Sequence, residues 1–164
     1  MEWNDRQTVK KGLIGEKIVR NYLFEKGYLI YSPDHVGEMA HAVDFIGIKN
    51  KEKMIFAEVK TKPRMKKYCA TGINERNAYE YLYLTQEYQI PLYLFFVDEF
   101  LGQIYFGEIN SLMMPYESDL VYPNTSLANG LMLFPIEKMT KLIDLSDNQI
   151  LQLGSLSTGS FSYN

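Results

Sequence analysis

Residues 42–62 read AVDFIGIKNKEKMIFAEVKTK, two apolar runs separated by a charged turn. Alternation on either side of the turn predicts an antiparallel hairpin over 43–48 and 54–60. With the turn centred on Lys51, residue 48 pairs with 54, 46 with 56 and 44 with 58. Val43, Phe45, Ile55, Ala57 and Val59 then form a core layer on one face. Asp44 and Glu58 oppose each other on the other face, and Lys60 projects beside them. A five-residue turn leaves room for a slip of a residue or two.

Two opposed carboxylates repel and lose hydration, so one must protonate or a cation must come between them. Hard oxygen donors at this spacing suit Mg²⁺ or Mn²⁺, with a backbone carbonyl (that of Val59, between Glu58 and Lys60) and water completing the shell. A lysine beside such an ion can orient a water or offset charge that develops during attack on phosphorus. On spacing alone, a solvent-facing salt-bridge cluster of Asp44, Glu58 and Lys60 accounts for the residues equally well.

The surroundings favour the first reading. Residues 1–97 carry 15 Lys and Arg against 12 Asp and Glu, whereas residues 98–164 carry 2 against 8. The net charge of −3 therefore hides a basic segment around the hairpin. Lys62, Arg64, Lys66 and Lys67 follow the second strand directly and could neutralise a phosphate backbone. Tyr68 beside them could stack on a base. One cysteine, Cys69, excludes an internal disulfide and fits a reducing compartment. The polar N-terminus and the lack of any membrane-length apolar run give a cytoplasmic protein as the expectation.

Along the chain, apolar residues from Val9 to Leu23 recur at helical spacing, with Asn4 or Asp5 as cap and Gly27 at the exit. Tyr28–Tyr31 reads as a strand, followed by a loop over 32–42. After the hairpin, KPRMKKYCATG reads as a loop and INERNAYEYLYLTQEY as a second helix. That helix has Ala78, Tyr81, Leu82, Thr85 and Tyr88 along one side and Asn74, Arg76 and Tyr79 near its start. LYLFFV and QIYFGEI form a further strand pair, LMLF an edge strand and PIEKMTKLI a short helix. We expect one α/β domain over 1–150, with a core at about 5–110, an appendix at 111–150 and a flexible tail at 151–164.

Glu16 in GLIGEKIVRNYL, Asp44 in AVDFIG, and Glu58 and Lys60 in FAEVKTK resemble the pattern of the PD-(D/E)XK nuclease superfamily. The opening helix is similar to that of archaeal Holliday-junction resolvases. The resemblance covers roughly residues 12–109. It implies a restriction-endonuclease-like αβββαβ core with a mixed central sheet flanked by helices. It also implies a divalent-metal-dependent endonuclease in which Asp44 and Glu58 hold Mg²⁺ or Mn²⁺. Lys60 would then position the water, and Glu16 would act as auxiliary ligand. One of Asn74, Arg76 and Tyr79 would stand near the scissile phosphate. DNA is favoured over RNA as substrate, and a homodimer is compatible. The literal Pro-Asp pair is Pro33-Asp34, which falls in a loop and ranks behind Asp44. His35 and His41 do not make a zinc pattern. The alternatives are a non-catalytic nucleic-acid or protein-binding module that keeps the fold, and an RNA-directed endonuclease.

Overall fold

The computed structural model describes residues 6–32, 43–65, 69–114 and 130–156. Asn4, Asp5, Asp34, His35, His41, Lys66, Lys67 and Tyr68 lie outside the described residues. Helix α1 (Gln7–Glu25) buries Gly15, Ile18, Val19 and Leu23. It stops at Gly27, whose φ of +85° is a left-handed value that glycine adopts without a Cβ penalty. Strands β1 (Leu29–Tyr31), β2 (Phe45–Lys49) and β3 (Lys53–Thr61) follow, then β4 (Ala70–Asn74) and helix α2 (Glu75–Tyr88). Strands β5 (Leu92–Asp98) and β6 (Gln103–Glu108) precede the short helix α3 (Ile109–Leu112). Strand β7 (Leu131–Pro135), a 3₁₀ turn, strand β8 (Thr140–Asp144) and helix α4 (Asp147–Ser155) end the described chain.

Six strands form one sheet in the order β1-β2-β3-β5-β6-β8. Only β3 and β5 run parallel, which requires a crossover; β4 and α2 supply it. Because β3 is central, helices cover it on both faces. Ile18, Val19, Leu23 and Leu153 pack with Phe45, Ile55, Ala57 and Val59 on one side. Ala78, Tyr81, Ile109 and Leu112 pack with Phe56, Leu92, Leu94 and Phe96 on the other. This is a mixed α/β fold with a central mixed sheet flanked by helices.

The hairpin register is the expected one: Ile48 pairs with Met54 and Ile46 with Phe56. Val43 differs. It packs with Phe56, Ile73 and Ala78 instead of with Phe45 and Ala57, because the chain bends at 43–44 before the ladder starts and the alternation fails there. Three segments also depart from expectation. Ala70–Asn74, read as loop and helix start, is strand β4, paired antiparallel with β7 in a separate two-stranded sheet. Thr140–Asp144, read as helix, joins the main sheet beside β6. Residues 151–155, expected to trail off, are helical, and Leu153 is fully buried. Among the described residues, no helix is long and apolar enough to cross a membrane.

Candidate functional site

The site is built where β2 begins and β3 runs on past it. The Phe56 N–H reaches Pro91 and the Lys62 N–H reaches Val97, so the even residues of β3 bond toward β5. The alternate residues Ala57 and Val59 therefore turn their backbone groups toward β2. The ladder stops at Phe45 opposite Ala57. The Asp44 N–H still donates to the Ala57 carbonyl at 3.1 Å. One step on, the Asp44 side chain replaces the missing strand: Oδ2 accepts the Val59 N–H at 2.6 Å. By the same strand alternation, the Val59 carbonyl belongs to the edge that faces β2.

Glu58 is 4% exposed. Its Oε1 accepts from the Tyr81 hydroxyl at 2.6 Å and also from the Lys60 ammonium. The Lys60 side chain keeps 31% of its surface in solvent, so the ion pair opens outward at one end. Burial raises the Glu58 pKa first, and the negative charge of Asp44 adds to it; Lys60 and Tyr81 act in the opposite direction. This is a carboxylate pair under electrostatic tension and not a solvated salt-bridge face, because helix α2 seals the Glu58 side of the sheet.

Glu16 comes from α1, on the face of the sheet opposite to Tyr81. Its neighbour Gly15 lies against the Thr61 side chain, which brings Glu16 to the end of β3 just past Lys60. The structure thus brings Asp44, Glu58, Val59 and Lys60 together, with Glu16 at the same strand end on the other layer. Among the described residues, no group of three acidic, histidine or cysteine side chains is gathered. The two carboxylates and a main-chain carbonyl are hard oxygens, of the chemistry that could hold a Mg²⁺ or Mn²⁺ ion with water completing its shell.

The basic segment divides. The Lys62 ammonium donates to the Gly72 carbonyl. Burial, with help from the charge of Lys60, lowers its pKa to about 8. The Arg64 guanidinium pairs with the fully buried Asp98 at 2.5 Å and reaches the Tyr105 hydroxyl at 3.2 Å. It is committed to the interior instead of standing clear for phosphate. Asn74 caps α2 by accepting the Arg76 N–H at 2.9 Å. The Arg76 and Tyr79 side chains are exposed on the first turns of that helix.

Sequence reasoning missed Tyr81 as a partner of Glu58, taking it for packing. The available signal was physical: a tyrosine on the buried stripe of an amphipathic helix must place its hydroxyl somewhere. Asp98, at the end of an apolar strand, was missed for the same reason.

The αβββαβ core and mixed sheet define a restriction-endonuclease-like fold. The solved structure of Hjc from Archaeoglobus fulgidus, a Holliday junction resolvase from an archaeal hyperthermophile, superimposes on this chain with a TM-score of 0.56. The match covers 80% of this chain and 92% of that one at 10% sequence identity. No protein-family model matches the chain, and no curated protein matches it in sequence.

Proposed function

We propose that the chain is a divalent-metal-dependent nuclease that hydrolyses phosphodiester bonds, with DNA as substrate. The observation that carries this reading is the Asp44 carboxylate, held by the Val59 N–H at the end of the hairpin and near enough for its charge to raise the pKa of the buried Glu58, beside the half-open ammonium of Lys60. Asp44, Glu58 and the Val59 carbonyl would hold Mg²⁺ or Mn²⁺, with Glu16 as an auxiliary ligand. The ion supplies Lewis-acid polarisation of the phosphoryl group.

The chain's own residues do the rest. Tyr81 donates to Glu58 and opposes its protonation, which burial promotes. The Val59 N–H fixes one Asp44 oxygen so that the carboxylate keeps its aim. Lys60 projects toward solvent, where it can position a water for attack and offset charge on the phosphorane-like transition state. Arg76 and Tyr79, both exposed, would contact a nucleic-acid strand, as would Lys66, Lys67 and Tyr68 of the basic segment. The Archaeoglobus neighbour acts on a branched junction, so branched DNA and a homodimeric assembly are the first forms to examine.

A second reading follows from the same network. Lys60 and Tyr81 already compensate Glu58 internally, as they would in a binding module that keeps the fold without catalysis. Titration calorimetry with Mg²⁺ and Mn²⁺, with and without DNA bound, separates the two. Metal uptake that vanishes in Asp44→Ala/Glu58→Ala, together with loss of cleavage, supports the nuclease. Cleavage retained by the double variant would overturn it, and DNA binding without metal uptake would favour the module. Parallel assays on matched DNA and RNA, branched and linear, identify the substrate.

A further inference from the structure

At the opposite end of the hairpin from Asp44 and Glu58, a cavity of about 290 Å³ opens between the C-terminal half of α1 and the sheet. Its volume lies just below the usual ligand-pocket range of about 300–1,000 Å³, which suits a single nucleotide unit and excludes a duplex. The walls are aromatic: Tyr22, Tyr28 and Tyr93, with Phe106 behind Tyr93 at a ring separation of 5.9 Å. Its mouth carries three ammonium groups. Lys26 lies over the Tyr22 ring at 5.3 Å, and Lys49 and Lys53 lie over Tyr28 at 5.5 Å and 6.0 Å.

For Lys49 and Lys53 the attraction to the Tyr28 ring is set against a repulsion between the two ammonium groups. Lys49 and Lys53 are directly opposed across the β2–β3 ladder, and like charges in that position destabilise a sheet. Among the described residues, no carboxylate forms an ion pair with Lys26, Lys49 or Lys53. Glu108, opposite Tyr93 on β6, accepts a hydrogen bond from Asn110. An anion held by the three ammonium groups would relieve the repulsion, and the tyrosine rings beneath offer a stacking surface for a planar group.

We propose that this cavity is a second ligand site that binds a phosphate-bearing nucleotide unit, its phosphate on Lys26, Lys49 and Lys53 and its base against Tyr22, Tyr28 and Tyr93. The unit comes either from a free nucleotide or from a single-stranded nucleic acid. It is independent of the reading given for the Asp44–Glu58 end and stands or falls separately.

Titration calorimetry on the full chain in EDTA tests it, with adenosine 5′-monophosphate, adenosine, inorganic phosphate and a short 5′-phosphorylated oligodeoxyadenylate as probes. The monophosphate is expected to saturate one site and to bind at least tenfold more tightly than adenosine or phosphate. The variant Lys49→Gln/Lys53→Gln should weaken it at least tenfold while melting no lower than the wild type, since the opposed charges are gone. A tighter oligonucleotide with the same lysine dependence identifies the strand as the source; a monophosphate that the oligonucleotide does not displace identifies the free nucleotide. Unchanged affinity in the double variant, equal binding of phosphate alone, or no saturable binding would each overturn the site.

Discussion

The Asp44 carboxylate takes the place of a strand: its Oδ2 accepts the Val59 N–H at 2.6 Å, one step beyond the last β2–β3 pair. One side chain thereby closes the sheet and stands beside the buried Glu58. These two roles can be separated by substitution. Asp44→Ala leaves the Val59 N–H without its acceptor at a cost of about 1–3 kcal/mol, offset in part by relief of repulsion with Glu58. Asp44→Asn keeps an acceptor oxygen and should unfold at nearly the wild-type urea concentration, yet lose the proposed metal binding and at least a hundredfold in cleavage. Comparing urea midpoints with calorimetric metal uptake for both variants decides whether the carboxylate matters beyond its hydrogen bond.

Tyr81→Phe removes the hydroxyl that donates to Glu58 at 2.6 Å. A hydrogen bond to a charged group contributes about 1.5–3 kcal/mol, so the metal-free variant should be less stable by that order at neutral pH. Because the bond opposes protonation of Glu58, its loss raises the Glu58 pKa further. The stability gap should therefore narrow as the pH falls and Glu58 takes up a proton in both proteins. A gap independent of pH would mean that the hydroxyl only fills space.

Lys62 gives a pH dependence of the same sign in a higher window. Its folded pKa of about 8 lies below the ordinary 10.5, so the unfolded chain binds more protons between those values. Stability from this group then rises as the pH climbs from about 8 to about 10.5, by on the order of 3 kcal/mol. Tyrosine ionisation overlaps that window, so the informative quantity is the wild type minus Lys62→Met. Denaturant titrations should show the difference moving in favour of the wild type above pH 8.

Arg64 and Asp98 form an ion pair whose acid is fully buried. Removing one partner strands the other charge, so Arg64→Ala should cost about 3–5 kcal/mol. Arg64→Lys should recover only part of this, because a point charge cannot reach both Asp98 and Tyr105. Any loss of nucleic-acid binding in Arg64→Ala should track unfolding. Circular dichroism melts run beside binding assays would expose a direct phosphate contact as weakened binding in a protein of unchanged stability.

Gly15 is where α1 meets β3. A Cβ there would overlap the Thr61 hydroxyl, while the Thr61 Cβ would lie 3.1 Å away. Gly15→Ala should destabilise by about 1–3 kcal/mol through overpacking. Adding Thr61→Ala should return most of that loss in a double-mutant cycle, and purely additive effects would show that the helix does not sit on Thr61 in solution.

Much of this architecture was written in local patterns. The two-residue alternation of AVDFIGIKNKEKMIFAEVKTK pointed to the hairpin register that the structure has, although the five-residue turn left room for a slip; packing closed that room, because a one-residue slip would have turned Phe45, Ile55 and Ala57 out of the core. Three- and four-residue spacing of apolar side chains determined α1 and α2 in the same way. Tertiary structure decided what no local pattern could carry. Ala70–Asn74 is short, small-residue and interrupted by Gly72; it is a strand because Leu131–Pro135 arrives to pair with it. Thr140–Asp144 is a strand because β6 offers an open edge. Arg64 turned inward because Asp98, 34 residues later, needs a cation where water is excluded. Glu58 sits on a hairpin face that sequence alone leaves open to solvent. Only the return of the chain through α2 buries it beneath Tyr81, where low dielectric and the charge of Asp44 make its carboxylate chemically distinctive.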